Sequence, residues 1–161
     1  MLFEQYSGIM ITICLRYACD NTEAEDMLQE GFIRVFRYIH QYKFEGSFEG
    51  WIKRIVVNAS LRILQKKGIH FLEINEELQE LQQAEADILS TLSEREILKL
   101  ISNLPTGYRV IFNLYVLEGY SHGEIAEMLQ IDKGTSRSQL SKARRTLQEQ
   151  IRSQQKLSID E

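Results

Sequence analysis

Apolar residues in this chain recur at intervals of three and four, the spacing of helix faces that bury one side. Ala24, Met27, Leu28, Phe32, Val35, Phe36 and Ile39 form one such stripe. Thr22 and Glu25 stand ahead of it at capping-box spacing, which predicts a helix over about 23–40. A first helix is predicted over Leu2–Ala18. After the loop Gln41–Gly46, Ser47 is expected to cap a third helix running to about Lys67, with Phe48, Trp51, Ile52, Ile55 and Ala59 on its inward face.

The second half repeats these signals. Ser93 and Glu96 form a capping box for a helix to about Asn103, and Pro105 to Glu118 reads as another, packing Val110, Ile111, Leu114 and Leu117. Pro105 lies where a first helical residue is tolerated, and Gly119 where a helix ends. Ser121 and Glu124 then open a short helix with Ile125, Ala126 and Leu129 inward. A break near Gln130–Asp132 follows, with Asp132 as the next cap. The last helix carries Leu140, Ala143, Leu147 and Ile151 inward. Sustained period-two alternation is missing. The predicted fold is all-α, with two small helical domains, 1–67 and 93–161, joined by an acidic linker, 68–92. The second domain is a helix-turn-helix without a wing.

Length and composition agree with one ordinary domain or two small ones: 161 residues, 43% hydrophobic and 26% charged. No run approaches the roughly 18 apolar residues needed to cross a bilayer, so no membrane insertion is expected. The amino terminus lacks a secretory pattern, and the expected location is cytoplasmic.

The net charge of −4 conceals its distribution. Residues 68–92 hold six acidic side chains and no basic ones. By contrast, residues 43–67 hold six basic and two acidic, and 132–156 hold seven and two. Two basic stretches around an acidic connector point to two nucleic-acid contacts on one chain. The final helix adds detail, because its outward face shows Arg137, Ser138, Ser141, Lys142, Arg144 and Arg145. Cations there suit phosphates, and Arg, Ser and Gln suit base edges. The plainer alternative is a surface helix that happens to be basic.

Cys14 and Cys19 are five residues apart and have no nearby histidine, a poor zinc arrangement. They read as core or near-core thiols. No metal, cofactor or catalytic residue is predicted. His40, His70 and His122 are dispersed, and neither a metalloprotease motif, a nucleophile elbow nor a phosphate-binding glycine loop occurs.

Three ordered stretches resemble the bacterial RNA polymerase sigma factors of the sigma-70 family, in its extracytoplasmic-function (ECF) group. They are EAEDMLQEGFIRVFR from Glu23, SFEGWIKRIVVNASLRIL from Ser47, and LPTGYRVIFNLYVLEGYSHGEIAEMLQIDKGTSRSQLSKARRTL from Leu104. The resemblance implies a subunit that binds core RNA polymerase, recognises promoter DNA at its −10 and −35 elements, and helps melt the −10 region. It also implies control by an anti-sigma factor.

Carried onto matching positions, the resemblance assigns Asp26, Gln29 and Glu30 to a ridge that docks on the polymerase. Lys43, Phe44, Glu45, Gly46 and Ser47 of the loop, with Lys53, Arg54, Asn58 and Arg62 of the third helix, are expected at the −10 element. Arg137, Ser138, Ser141 and Lys142, supported by Thr135 and Gln139, are expected at the −35 element. For Phe48 and Trp51 the residues favour a core role over base stacking.

The chain departs from the family pattern in three places. Gln130 stands where a turn glycine is usual, Lys53 replaces a common aromatic, and the amino terminus is short. Rival readings are a free-standing DNA-binding regulator, which predicts no effect from changing the Asp26–Glu30 ridge, and a sigma-like sink that binds partners without supporting transcription.

Overall fold

The computed structural model describes residues 1–69, 71 and 92–159, the last two of these by backbone only. The described residues are helical apart from short connections. They fall into two units, Met1–Ile69 and His70–Glu161. Most of the predicted acidic linker lies outside the described residues.

The first unit packs three helices against one another. Helix α1 (Leu2–Tyr17) buries Met10, Ile13, Cys14 and Tyr17, a spacing of three, one and three that keeps one face inward. Cys14 is fully enclosed, and burial pushes its thiol up to about 11. Cys19 corrects the expectation of a second near-core thiol, because it lies past the helix end and is exposed.

Helix α2 (Asn21–Tyr38) starts two residues before the predicted point. Asp20, rather than Thr22, is its cap, and accepts from the Glu23 amide at 2.7 Å. This leaves the Glu23 side chain to take the Cys19 amide at 2.6 Å. Ala24, Met27, Leu28, Phe32 and Val35 are buried as predicted, but Phe36 and Ile39 are 52% and 40% exposed. A 3₁₀ turn, Ile39–Gln41, finishes the element. Helix α3 (Phe48–Lys66) is capped by the Ser47 hydroxyl, which accepts from the Gly50 amide at 3.0 Å. It crosses α2 closely at Gly31, where a Cβ would lie 2.9 Å from Cγ2 of Val56. A side chain there would force the helices apart.

In the second unit, α4 (Glu94–Ser102) opens on the predicted Ser93–Glu96 capping box. Pro105 precedes α5 (Thr106–Phe112) as its cap, and the predicted continuation to Glu118 widens and shifts register into a π turn, Asn113–Leu117. The amide of Glu118 bonds five residues back to Asn113, at 2.9 Å. This extra residue per turn rotates Tyr115 relative to a regular helix. Leu117 ends 37% exposed rather than packed.

Helix α6 (His122–Leu129) has the predicted Ser121–Glu124 capping box. It ends at Gln130, which takes the left-handed conformation (φ 55°, ψ 48°). Helix α7 (Lys133–Ile159) packs on α5 and α6 and buries Leu140, Ala143, Leu147 and Ile151. Among the described residues no helix is long and apolar enough to cross a membrane.

Candidate nucleic-acid and polymerase interfaces

The first unit carries two candidate surfaces. On α2, the i, i+3, i+4 spacing of Asp26, Gln29 and Glu30 places them along one ridge. Asp26 and Gln29 are exposed, whereas Glu30 is partly covered and accepts from Nε of Arg34 at 2.7 Å. The ridge borders an open groove of about 770 Å³, whose opposite wall comes from Arg62 and Lys66 of α3. Carboxylates and cations therefore share one depression.

The second surface is the loop entering α3. Lys43, Phe44, Glu45, Gly46 and Ser47 are all exposed. Phe44 is 87% exposed and held at φ 60°, a costly conformation for an aromatic residue. Tyr42 organises the loop. Its hydroxyl donates to the Gly46 carbonyl at 2.9 Å, and its ring lies 5.0 Å from Phe44, 5.0 Å from Phe48 and 5.4 Å from Trp51. Phe48 and Trp51 stack with an interplanar angle of 13°. Both are half-buried rather than enclosed, so the expected core role is corrected: they line an aromatic shelf that reaches the surface.

Arg54, Asn58 and Arg62 continue outward along α3 at four-residue spacing, all exposed, with Lys53 half-buried beside them. The loop and this face together offer apolar rings, an amide and cations. Single-stranded nucleic acid is bound by that chemistry. Tyr42, one of the loop's two aromatic residues, was not among the side chains expected at the −10 element. The aromatic spacing 42, 44, 48, 51 was the available signal.

On the second unit, Arg137 is exposed, with Ser141 and Lys142 half-buried. Three of the expected −35 residues are not on the surface. Thr135, Ser138 and Gln139 are 8%, 9% and 2% exposed, and this corrects the expectation that they approach or flank bases. The first two turns of α7 pack inward on a wider arc than the apolar stripe alone indicates. Ser138 instead donates to the Thr135 carbonyl at 3.1 Å. The Nζ of Lys142 is enclosed and makes no hydrogen bond among the described residues, so it must change rotamer to reach a phosphate.

A second cluster escaped the sequence reading. The imidazole of His122 stacks on Tyr115 with centroids 4.4 Å apart. Its Nδ1 lies 2.8 Å from Oγ of Ser136, which is fully buried on α7. Burial pushes His122 below the ordinary histidine range, and the guanidinium groups of Arg137 and Arg144 push the same way. Arg144 also reaches over the Tyr115 ring, at 6.0 Å. His122 and Ser136 are fourteen residues apart across the turn, and nothing local in the sequence links them.

A helix-turn-helix with a basic second helix, in one chain with a three-helix unit bearing an acidic ridge and an aromatic loop, defines a transcription factor of the two-region sigma type. The comparisons agree. Residues 2–69 match the family model for sigma-70 region 2, and residues 94–147 match the one for sigma-70 region 4. SigW, an ECF RNA polymerase sigma factor of Bacillus subtilis, is 30% identical over 94% of this chain and 87% of its own length. The ECF RNA polymerase sigma-E factor of Haemophilus influenzae is 28% identical over 94% and 86%. The fold is shared with the sigma factor RpoE of Bartonella quintana, solved in complex with the anti-sigma factor NepR. The TM-score is 0.56, at 18% identity over 91% of this chain and 92% of that one.

This chain belongs to the ECF RNA polymerase sigma factors of the sigma-70 family. It is accordingly a transcription initiation factor and not an enzyme.

Proposed function

We propose that this chain binds core RNA polymerase through the α2 ridge and directs it to a two-part promoter, each unit reading one element. Asp26 and Gln29 supply the exposed part of the docking surface, and Glu30 holds Arg34 beside them. The −10 strand is taken by the loop Lys43–Ser47 and by Arg54, Asn58 and Arg62, with Lys53 at the margin. The −35 duplex is taken by Arg137 and Ser141, with Lys142 after a rotamer change. Capture of the separated strand on the aromatic shelf supplies the free energy for melting.

The reading rests most heavily on the loop. An aromatic ring 87% exposed on a strained left-handed backbone is a combination that clusters at binding sites, and the neighbouring α3 face is cationic. We further propose that an anti-sigma factor, the kind of partner named for the Bartonella relative, covers the face of α2 where Ile33, Phe36 and Ile39 are exposed. The protein works in the cytoplasm.

Run-off transcription from a promoter library with bacterial core polymerase tests this. The expected result is initiation that depends on the protein and shares a two-part motif. Asp26→Arg is expected to weaken core binding at least tenfold while leaving the fold intact. Duplex binding without core binding would replace this reading with a free-standing regulator, and core binding without initiation would leave a sigma-like sink.

A further inference from the structure

His122 and Tyr115, which lie beside Arg137, have no part in the assignments above. His122 is the first residue of α6, and its ring is held on one face and at one edge: Tyr115 of the π turn stacks on it, and Ser136 of α7 holds its Nδ1. The charged groups acting on it are the guanidinium groups of Arg137 and Arg144, both from α7. A third cation is nearby, since Nζ of Lys133 lies 3.6 Å from where a Cβ on Gly123 would sit. Glu124, the carboxylate nearest in sequence, is turned back to the Ser121 amide at 2.8 Å.

We propose that His122 is a proton-linked contact to the DNA backbone, so that capture of duplex DNA by this helix-turn-helix takes up one proton. The inference rests on the second unit being the duplex-binding unit. In a helix-turn-helix the first helix crosses the phosphate backbone while the second enters the groove. Burial and the two guanidinium groups together keep the ring neutral, and phosphates arriving at the Arg137 and Arg144 end of the cluster offset the second of these. The ring then accepts a proton from solvent and becomes one more cation facing the backbone. The Ser136 hydroxyl can donate or accept, so its bond to Nδ1 survives either state. Tyr115 offers its ring face to the new charge. Geometry is therefore conserved while charge changes.

The test is binding of the full chain to a short mixed-sequence duplex at low ionic strength, followed by anisotropy, together with an NMR titration of the histidine side chains. Affinity is expected to rise about tenfold from pH ~7.5 to ~5.5, matching an upward shift of about one pKa unit for His122 on saturation with duplex. His122→Asn, which keeps a polar group toward Ser136, and His122→Phe, which keeps the stack, should each flatten most of that rise. His40→Gln and His70→Gln should retain it.

An unaltered pH dependence in both His122 variants, or a wild-type titration of His122 that the duplex does not move, overturns the proposal and leaves duplex binding standing. Absence of duplex binding by the wild type at every pH overturns both. The wild-type NMR measurement needs no variant to fold.

Discussion

Lys67, at the carboxyl end of α3, places its Nζ 2.5 Å from Oε1 of Glu23 in the first turn of α2, across 44 residues of chain. Glu23 is 5% exposed and Lys67 is 60% exposed, so the carboxylate is the dependent partner. Its other oxygen takes the Cys19 amide. One side chain therefore joins the α1–α2 connection to the end of α3.

This pair makes the first unit acid-sensitive. Burial alone would raise the Glu23 carboxyl, but Lys67 and Cys19 outweigh it and hold it at about 2 instead of the ordinary 4.5. A depressed folded value means the unfolded chain binds the proton more readily as pH falls below about 4.5. The contribution is present above that point and is lost between about 4.5 and 2. Glu23→Gln is expected to lower stability at neutral pH by roughly 1–3 kcal/mol and to flatten the acid limb over this interval. Urea unfolding at several pH values, followed by the circular dichroism of the helices, measures both effects. An equal acid limb in wild type and variant would remove the claim.

Gly31 is the tightest point between α2 and α3. Alanine ordinarily favours a helix over glycine by about 1 kcal/mol. Here the added carbon would lie 2.9 Å from Cγ2 and 3.2 Å from Cα of Val56. The backbone atom cannot rotate away. Gly31→Ala is therefore expected to destabilise by roughly 1–3 kcal/mol, as overpacking does. A gain in the urea midpoint would show that the helices separate at little cost.

Gln130 tests strain in the opposite direction. It closes α6 at φ 55°. A residue with a Cβ is disfavoured there by about 1 kcal/mol relative to glycine. Gln130→Gly should raise the stability of the second unit by up to about 1 kcal/mol, with duplex affinity unchanged. A midpoint below wild type would mean that the Gln130 side chain contributes more than the turn costs.

Arg137 and Ser138 are neighbours with different expected phenotypes. Arg137→Ala should relax discrimination at the upstream element by roughly 1–3 kcal/mol if the guanidinium bridges a guanine, with thermal stability kept. Ser138 is buried against its own helix, so Ser138→Val should lower stability before it alters promoter choice. Selection from a promoter library, read beside melting curves, separates the two. Altered selectivity from Ser138 at full stability would return it to the DNA surface.

Several features were readable because they are local. The Ser47, Ser93 and Ser121 caps each depend on a hydroxyl and an amide three residues away, and all three formed. The stripe from Ala24 to Val35 needs only the helical period. Gln130 could be marked as a left-handed position because the family resemblance puts a turn glycine there. The cap of α2 was misplaced at Thr22, because Asp20, two residues earlier, has the carboxylate that accepts from the Glu23 amide.

The sequence by itself determined the helices, most of their buried faces, two basic stretches and the family resemblance, because period, caps and charge act over a few residues. Tertiary structure alone decided which ends of those faces meet a neighbour. Phe36 and Ile39 continue the α2 stripe yet are exposed, whereas Thr135, Ser136, Ser138 and Gln139 are polar yet enclosed. Burial depends on what packs opposite, and no residue encodes that alone. The same reason hid Glu23 with Lys67, Tyr42 within its aromatic shelf, and His122 with Ser136. Each contact closes a loop of chain, and only the packed helices bring its two ends together.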